Sequence, residues 1–198
     1  MEKKEKRYNS LAGKFLIASP NMNDPRFSRS IIYMVSDNQE GSMGIIINKP
    51  ALNISFENIL ESVELKKVDK YSSKPQVFYG GPVDLNKGFV IHSNDYVTKE
   101  NYTKLSNNLI LSSNFNILQD ILNGKGPSKS LLAIGYAGWH SFQLINELKQ
   151  NSWIEAELDT DILFTKNINK KWETALGKVG ISKNNISRSN FSSCSGSA

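Results

Sequence analysis

Eight short apolar runs between residues 15 and 158 have the hydrophobic pattern of β-strands. Each run is rich in β-branched or aromatic residues and is bounded by Gly, Pro, Asn or Ser, which is typical of strands that end in turns. The runs are residues 15–18, 31–35, 43–48, 77–79, 89–92, 109–111, 131–135 and 153–158. Eight strands require one large sheet or two smaller ones.

Four other segments have apolar residues at helical spacing. We expect the first helix to begin after Ser55 and the second after Ser113, because a serine hydroxyl can accept hydrogen bonds from the free N–H groups at the start of a helix. The second ends at Gly124, the third covers about residues 141–150 and the fourth covers 168–181. The apolar face of the first helix consists of Phe56, Ile59, Leu60 and Val63, and that of the second of Phe115, Leu118, Ile121 and Leu122. The third helix has Leu144, Ile145 and Leu148 on this face, and the fourth has Ile168, Trp172, Ala175, Leu176 and Val179. Because helices and strands interleave without strict alternation, we predict a mixed α/β (α+β) fold with about four helices covering the sheet.

The two ends of the chain differ from its middle. Residues 1–10 are expected to form a flexible basic arm, and residues 182–198 have the Ser and Asn bias of a disordered tail. No linker separates these ends, so residues 11–181 are predicted to form a single domain. The chain is 39% hydrophobic, with three Trp, seven Tyr and nine Phe, which suffices for one substantial core.

The composition also limits where and how the protein acts. No run approaches the roughly 18 apolar residues of a membrane span, and the N-terminal charges are not followed by the apolar region of a secretory signal. We therefore expect a soluble, cytoplasmic protein without a membrane partner. The single cysteine, Cys194, cannot form an intramolecular disulfide, which excludes a disulfide-stapled secreted scaffold.

The formal charge of +5 is concentrated at the two ends. Residues 1–7 hold four basic and two acidic side chains, and residues 181–198 hold two basic ones, which leaves 18 basic against 17 acidic residues between 8 and 180. A nearly neutral body makes direct DNA binding by that body unlikely, because phosphate contacts need Lys and Arg. The basic ends could still add sequence-independent attraction to nucleic acid.

Common catalytic and cofactor motifs are absent from the sequence. It contains none of the patterns GxxxxGK[ST], GxGxxG, HExxH or GxSxG, and its two histidines, His92 and His140, cannot build a multi-histidine zinc site. We therefore predict no cofactor, no metal and no assigned catalytic residue.

His92 has two interpretations. It ends the predicted strand GFVIHS near Asp84 and Asp95, so it could act as a general base in a Ser, His and Asp relay. Alternatively, it is a structural histidine whose nitrogens are satisfied by backbone groups. His140 precedes a predicted helix and is expected to be a capping or surface residue.

Carboxylates occupy every second position from residue 155 to residue 161, within and just after the last predicted strand. They are Glu155, Glu157, Asp159 and Asp161. With this period of two, they would share one face of an extended segment. Such a face could hold a divalent cation through oxygen ligands, or it could be the solvated outer face of an edge strand.

Glycines cluster at the ends of the predicted strands, at Gly41 and Gly44, Gly80 and Gly81, Gly88, and Gly135 and Gly138. Glycine lets a backbone or a ligand approach closely, so these clusters could frame a pocket or simply form tight turns and strand crossings. The candidate ligand-binding residues in this hypothesis are Gly44, Asn48, Gly80, Gly81, His92, Tyr136, Gly138 and Trp139.

Several spaced motifs resemble the bacterial AlgH/YqgE family. They are GKFLIASPNMNDPRFSRSIIYM from residue 13, EGSMGIIINKP from 40, YGGPVDLNKGFVIHS from 79 and LLAIGYAGW from 131, followed by Gln143, Leu144, Asn151, Trp153, residues 161–164, Trp172 and Ala175. The resemblance covers about residues 11–181. It implies a complex α/β fold with a branched or partly barrel-like sheet, and a largely uncharacterised family that carries a label as transcriptional regulators of exopolysaccharide synthesis.

This chain departs from the pattern of the family at three places. His140, Ser141 and Phe142 stand where the family commonly has a glycine-rich turn, Ile145 stands at an acidic position, and Asn86 with Lys87 replace Asp and Arg. These substitutions fit structural turns or a binding surface that varies among relatives.

Two main hypotheses for function follow. The first is a cytoplasmic non-enzymatic protein that binds an unknown protein or small-molecule partner and has an indirect role in transcriptional regulation. The alternative is a small-molecule-binding enzyme in which His92 is the general base and glycine N–H groups stabilise an anion. A third hypothesis, direct DNA binding, conflicts with the near-neutral body and with the absence of a helix-turn-helix signature.

Overall fold

A computed structural model describes residues 9–63, 75–97, 101–113 and 116–181 of the chain. Within these ranges it contains nine strands and five helices. In chain order they are β1 (Phe15–Ala18), β2 (Ile31–Asp37), β3 (Gly41–Ile46), α1 (Phe56–Ser62), β4 (Val77–Tyr79), β5 (Val83–Ser93), β6 (Tyr102–Lys104), β7 (Leu109–Ser112), α2 (Asn116–Leu122), β8 (Ser130–His140), α3 (Gln143–Lys149), β9 (Trp153–Ala156), α4 (Thr160–Phe164) and α5 (Ile168–Lys178).

All nine strands belong to one curled sheet that branches at β8. The order along the sheet is β6-β7-β5-β8-β3-β2-β1-β9. One edge of β8 pairs with β5, while the other pairs first with β4, in parallel, and then with β3, antiparallel. This half-barrel arrangement confirms the predicted α/β fold with a branched or partly barrel-like sheet.

The branch depends on a change of direction within β8. Gly135 lies between the residues that pair with β4 and those that pair with β3, and its φ of 72° belongs to the left-handed region that favours glycine. Opposite it, the pairing of β5 slips between Val83 and Gly88, as in a β-bulge. The two irregularities bend the sheet near Gly135, so that one edge of β8 pairs with β4 before the bend and with β3 after it.

The central strands are buried on both faces, which explains their continuous apolar runs. One face packs with α4 and α5 and contributes Phe15, Ile17, Ile31, Tyr33, Ile45 and Ile47 to a first core cluster. The alternate residues Leu16, Ala18, Ile32, Met34 and Ile46 join a second cluster with Leu144 of α3. A third cluster holds α1 and α2 against β4, β5 and β8. The period of two therefore divides each strand between two cores.

Local sequence explains how the helices begin. Ser55 caps α1 as predicted, since its Oγ accepts a hydrogen bond from the Asn58 N–H while the Asn58 side chain accepts from the Ser55 N–H. Asp159 caps α4 by accepting from the N–H groups of Asp161 and Ile162. The short helix α4 was not predicted, because its apolar residues occupy little more than one turn.

Several predicted boundaries are wrong. The strand expected over 153–158 ends at Ala156, and the helix expected from about residue 141 begins at Gln143, after Phe142 adopts a left-handed conformation with φ 65°. Strand β5 begins at Val83, and β6 was missed because its residues are exposed and lack an apolar pattern. The predicted arm (except residues 9 and 10), Phe115, Cys194 and the tail lie outside the described residues.

A membrane-spanning segment is not among the structural elements: no helix in the described ranges has the length and apolar character to cross a bilayer.

Candidate functional site

Five of the predicted ligand-binding residues lie near the branch of the sheet, namely Gly44, Gly80, Gly81, Tyr136 and Gly138, whereas His92 lies opposite Ser130 at the start of β8. Gly80 follows β4; its N–H donates to the Ile134 carbonyl oxygen at 2.8 Å, and its own carbonyl oxygen accepts from the Ile46 N–H at 2.8 Å. A Cβ at Gly80 would lie 2.2 Å from the Gly135 carbonyl oxygen, and one at Gly81 would lie 2.1 Å from the Tyr136 carbonyl carbon. The structure therefore brings Gly80, Gly81 and Tyr136 together by direct backbone packing.

Two further candidates lie on the neighbouring strand pair. Gly44 of β3 pairs with Ala137, and a Cβ there would lie 2.4 Å from Cγ2 of Ile32. Gly138 of β8 pairs with Met43, next to Gly44. Both residues are thus in the same part of the sheet as Gly80, but Gly44 is packed against β2 whereas Gly138 is exposed.

Trp139 and Trp153 share one acceptor. The Nε1–H groups of both indoles donate to Oε2 of Glu147, at 2.9 and 2.7 Å, and Gln143 Nε2 donates to its Oε1 at 3.0 Å. The two rings meet edge to face with centroids 6.0 Å apart. Trp139 is buried, and its polar atom fixes α3 against the sheet.

Asn48 holds the turn before β2. Its Oδ1 accepts from the Ile31 N–H at 2.7 Å, and its Nδ2 donates to the Arg29 carbonyl oxygen at 2.8 Å. Arg29 has a φ of 54°, and its guanidinium lies 5.5 Å from the Trp172 ring centroid. Asn48 therefore stabilises an unfavourable backbone conformation next to the first core cluster.

His92 is fully buried between β5 and β7. Its Nδ1 lies 2.8 Å from the Ser93 carbonyl oxygen and its Nε2 lies 2.9 Å from Ser112 Oγ. A carbonyl only accepts, so Nδ1 carries the proton and Nε2 accepts from the serine hydroxyl. Burial lowers the pKa of His92, which keeps the imidazole neutral.

The acids predicted near His92 have other partners. Asp84 forms an ion pair with Lys87 at 3.0 Å, and Asp95 accepts from Ser93 Oγ at 2.6 Å. In place of a carboxylate, the partner of Nδ1 is a backbone carbonyl. The second histidine, His140, is exposed at the end of β8, as expected of a surface residue.

The four alternating carboxylates do not share one face, so that expectation is wrong. Glu155 lies in β9 and pairs with Lys14, whereas Asp159 caps α4 and pairs with Lys178, and Asp161 lies within the helix. The chain turns from strand to helix between Ala156 and Thr160, which ends the period of two. In the described part of the chain, no three His, Cys, Asp or Glu side chains form a group that could hold a metal ion.

The described residues form an α3 cavity and a lysine cavity, each with room for a small molecule. The α3 cavity, of about 660 Å³, is lined by residues that include Leu11, Asp37, His140, Phe142 and Ile145. It therefore contains the positions after residue 139 at which this chain departs from the resembled pattern. The lysine cavity, of about 900 Å³, is lined by residues that include Phe78, Lys129, Asp161, Leu163, Lys166 and Lys171, and lies between β4, the start of β8, α4 and α5.

Lys171 is the most unusual residue of the lysine cavity, with only 1% of its surface exposed. Its Nζ donates to the carbonyl oxygens of Ile47 and Leu163, both at 2.9 Å, and lies 5.4 Å from the Phe78 ring centroid. No ion pair joins this ammonium to a carboxylate among the described residues. Burial lowers the pKa of Lys171 to about 8, because the charged form loses its hydration.

Basic side chains outnumber acidic ones along the lysine cavity. Lys129 Nζ lies 4.0 Å from Asp161 Oδ1, and both side chains are largely exposed. Lys166 also lines the cavity, so three lysines face one aspartate there. Cationic side chains are thus in excess over carboxylates in the lining of this cavity.

Comparison with known protein families shows the family to which the chain belongs. A family model described as AlgH-like matches residues 15–184. The chain belongs to the AlgH-like family. This confirms the predicted resemblance. Among curated AlgH-like relatives, the UPF0301 protein SPO0296 of Ruegeria pomeroyi is 42% identical over 172 residues, which covers 86% of this chain and 92% of that protein. A UPF0301 protein of Methylocella silvestris is 38% identical over 183 residues, 89% of each chain.

Solved structures show that the AlgH-like fold is shared. The solution structure of the AlgH protein from Pseudomonas aeruginosa matches with a TM-score of 0.74 and 31% identity, covering all of both chains. The crystal structure of protein DIP2367 from Corynebacterium diphtheriae matches with a TM-score of 0.67 over 90% of each chain. At 18% identity, that second likeness supports the fold alone.

Lys171 was not among the candidate residues of the site that were singled out from the sequence. A signal was present, because Lys171 lies three residues after Ile168 and four before Ala175, which places it at the apolar face of α5. A lysine within such a face is more often at its border, with the ammonium reaching solvent. Here the ammonium meets two backbone carbonyls instead.

Proposed function

We propose that this AlgH-like protein is a non-enzymatic, cytoplasmic binding protein that holds a small anionic ligand in the lysine cavity. The observation that carries the proposal is the buried Lys171 ammonium, which lines a cavity of about 900 Å³ and has no ion-pair partner among the described residues. A buried cation is costly unless it is paired, so an anion bound there would gain more than one bound at an exposed lysine.

The predicted glycine set serves as the scaffold of this site. Gly80 and Gly81 let the chain cross β8 directly after β4, which places Phe78 in the cavity wall. Asn48 follows Ile47 directly and is held by a hydrogen bond from the Ile31 N–H, and the Ile47 carbonyl oxygen accepts a hydrogen bond from Lys171 Nζ. Direct contact between a ligand and the residues predicted from the sequence stays a prediction. These residues are Gly44, Asn48, Gly80, Gly81, His92, Tyr136, Gly138 and Trp139.

The test is anion binding followed by NMR. We expect succinate and inorganic pyrophosphate to shift the amide signals of Ser128, Leu131 and Thr165, which line the lysine cavity. Lys171→Met should weaken binding at least about tenfold, because loss of one buried charge contact corresponds to more than about 1.4 kcal/mol. Lys170→Met removes an exposed lysine of the same helix and is the control. Shifts confined to the α3 cavity, or equal weakening by both variants, would contradict the proposal.

The enzyme alternative has less support. Nε2 of His92 does accept from the Ser112 hydroxyl, as a general base would, but both residues are buried and neither lines the lysine cavity or the α3 cavity. The ring of Tyr96, which packs against the third core cluster, also contacts His92 edge to face with centroids 5.9 Å apart. The contact between His92 and Ser112 therefore fits a buried polar pair that fixes β5 to β7.

An indirect regulatory role is part of the proposal. With the excess charge of the sequence placed at its two ends, we expect the folded body not to bind duplex DNA. Fluorescence anisotropy with duplex DNA over a salt series checks this, comparing the full chain with residues 8–181. Tight binding by residues 8–181 at physiological salt would overturn the indirect role, whereas binding that needs the ends would be nonspecific attraction.

A further inference from the structure

Lys171 has the hydrogen-bond partners that suit a neutral amine. A neutral amine has two N–H donors and one lone pair, whereas an ammonium has three donors and no lone pair. The carbonyl oxygens of Ile47 and Leu163 accept two N–H groups. Within the described residues, a third N–H would have only the Phe78 ring, 5.4 Å away, as a weak acceptor. Without a ligand, the neutral form therefore satisfies both of its donors and keeps its lone pair, whereas the ammonium has a third N–H left to donate to a bound anion.

The lysine cavity also separates two kinds of group. Lys171 is in the interior, with 1% of its surface exposed, while Lys129 lies at the mouth with 52% of its side chain exposed. Lys166 is a further cationic group along the wall. A ligand with a charged end and an uncharged electrophilic end would fit this order, since the anion would face Lys129 and Lys166 and the other end would reach Lys171.

We propose that Lys171 captures the aldehyde or ketone group of an anionic ligand in the lysine cavity by forming an imine. This inference rests on the proposed function, because the ligand must first bind as an anion. Desolvated lysines in apolar pockets are the ones that act as amine nucleophiles, since burial makes the unprotonated form accessible near neutral pH. The low pKa of Lys171, about 8, is consistent with this behaviour.

The chemistry is a balanced condensation. The Nζ lone pair forms a bond to the carbonyl carbon, the π electrons move to the carbonyl oxygen, and that oxygen takes a proton, which gives a carbinolamine. The hydroxyl then leaves as water with the second proton that Nζ loses, so amine and carbonyl become imine and one water. No oxidant or reductant takes part. A protonated imine keeps one N–H, which can donate to Ile47 or Leu163, so one of the two carbonyl contacts survives.

The experiment uses the full wild-type chain with glyoxylate as the probe and sodium cyanoborohydride to reduce any imine to a stable secondary amine. Peptide mass spectrometry then gives the modification rate of each lysine. At about pH 7.5 the unprotonated fraction of a lysine with a pKa near 8 exceeds that of an ordinary lysine by roughly a hundredfold or more. We expect Lys171 to react at least about tenfold faster than the exposed Lys170, with a rate that levels off above about pH 8.

Two outcomes overturn the inference. If Lys171 reacts no faster than Lys170 while succinate still shifts the cavity amides, imine formation is wrong and the proposed anion binding stands. If Lys171 is unreactive and succinate shifts no cavity amide, both proposals fail. Acetaldehyde, an aldehyde without a charge, is the matched probe: a ratio of the Lys171 rate to the Lys170 rate as high for acetaldehyde as for glyoxylate would remove the role of Lys129 and Lys166.

Discussion

The burial of Lys171 makes the stability of the fold depend on pH in a direction opposite to that of most ion-paired lysines. The pKa falls from the ordinary value of 10.5 to about 8 in the folded chain. Between these two values the unfolded chain binds the proton and the folded chain does not, so the free energy of unfolding rises with pH. Lys171→Met removes this dependence, because methionine does not titrate.

The size of the effect follows from the two pKa values. As the pH rises from about 7 to about 10, the free energy of unfolding of the wild type should increase by about 2.5 kcal/mol relative to that of Lys171→Met. The offset between the two proteins at pH 7 has two opposing contributions. The variant loses hydrogen bonds to Ile47 and Leu163, about 1 kcal/mol each, and it no longer buries a charge. The change with pH is therefore the informative quantity.

Urea unfolding at a series of pH values, followed by circular dichroism, measures this difference. Other titrating groups act equally on both proteins and cancel. The control is Lys170→Met, whose exposed side chain should leave the pH dependence of the wild type unchanged. Parallel stability curves for wild type and Lys171→Met would refute the reasoning, and so would a wild type that loses stability relative to the variant as pH rises.

Three other predictions concern the scaffold. His92→Ala should destabilise the fold by about 2–4 kcal/mol, against about 1 kcal/mol for Ser112→Ala, because the histidine variant leaves a cavity as well as an unpaired Ser112 hydroxyl. Burial lowers the pKa of His92, so the wild type should also lose stability as the pH falls below 6.5. Urea titrations of the three proteins check both points. Gly80→Ala should cost about 3 kcal/mol or more from backbone overlap, whereas Gly177→Ala, with open space around it in α5, should gain about 0.5–1 kcal/mol, both measured by thermal unfolding. Glu147→Ala should cost about 2–3 kcal/mol because both indole N–H groups lose their acceptor, and tryptophan emission should shift as α3 detaches; an unchanged spectrum would contradict this.

Local pattern explains why much of the fold could be predicted. The alternation of Phe15 and Ile17 with Leu16 and Ala18 is a property of a strand, and burial on both faces needs only apolar residues at every position. Ser55 could be recognised as a helix cap because its partner lies three residues away. The errors came where a turn intervened, as between β9 and α4, since a period of two says nothing about where a strand ends.

The candidate site was predicted less well, because its residues come from distant parts of the chain. The glycines were recognised as a group, yet only the structure shows that Gly80 and Gly81 pack on Gly135 and Tyr136 backbone to backbone. His92 and Ser112 are 20 residues apart in sequence and meet only because β5 pairs with β7. In both cases the pairing of strands decides the contact, and strand pairing is not encoded at any single position.

By itself, the sequence determined eight of the nine strands, four of the five helices and the AlgH-like family, because these depend on apolar spacing over a few residues or on motifs. Only the tertiary structure decided that Lys171 is a buried amine in a cationic cavity. Helix α5 specifies that Lys171 lies at its apolar face, but the cost of burying the charge depends on what covers that face. The carbonyl oxygen of Ile47, 124 residues away, and the ring of Phe78 reach the amine through the folding of the whole sheet.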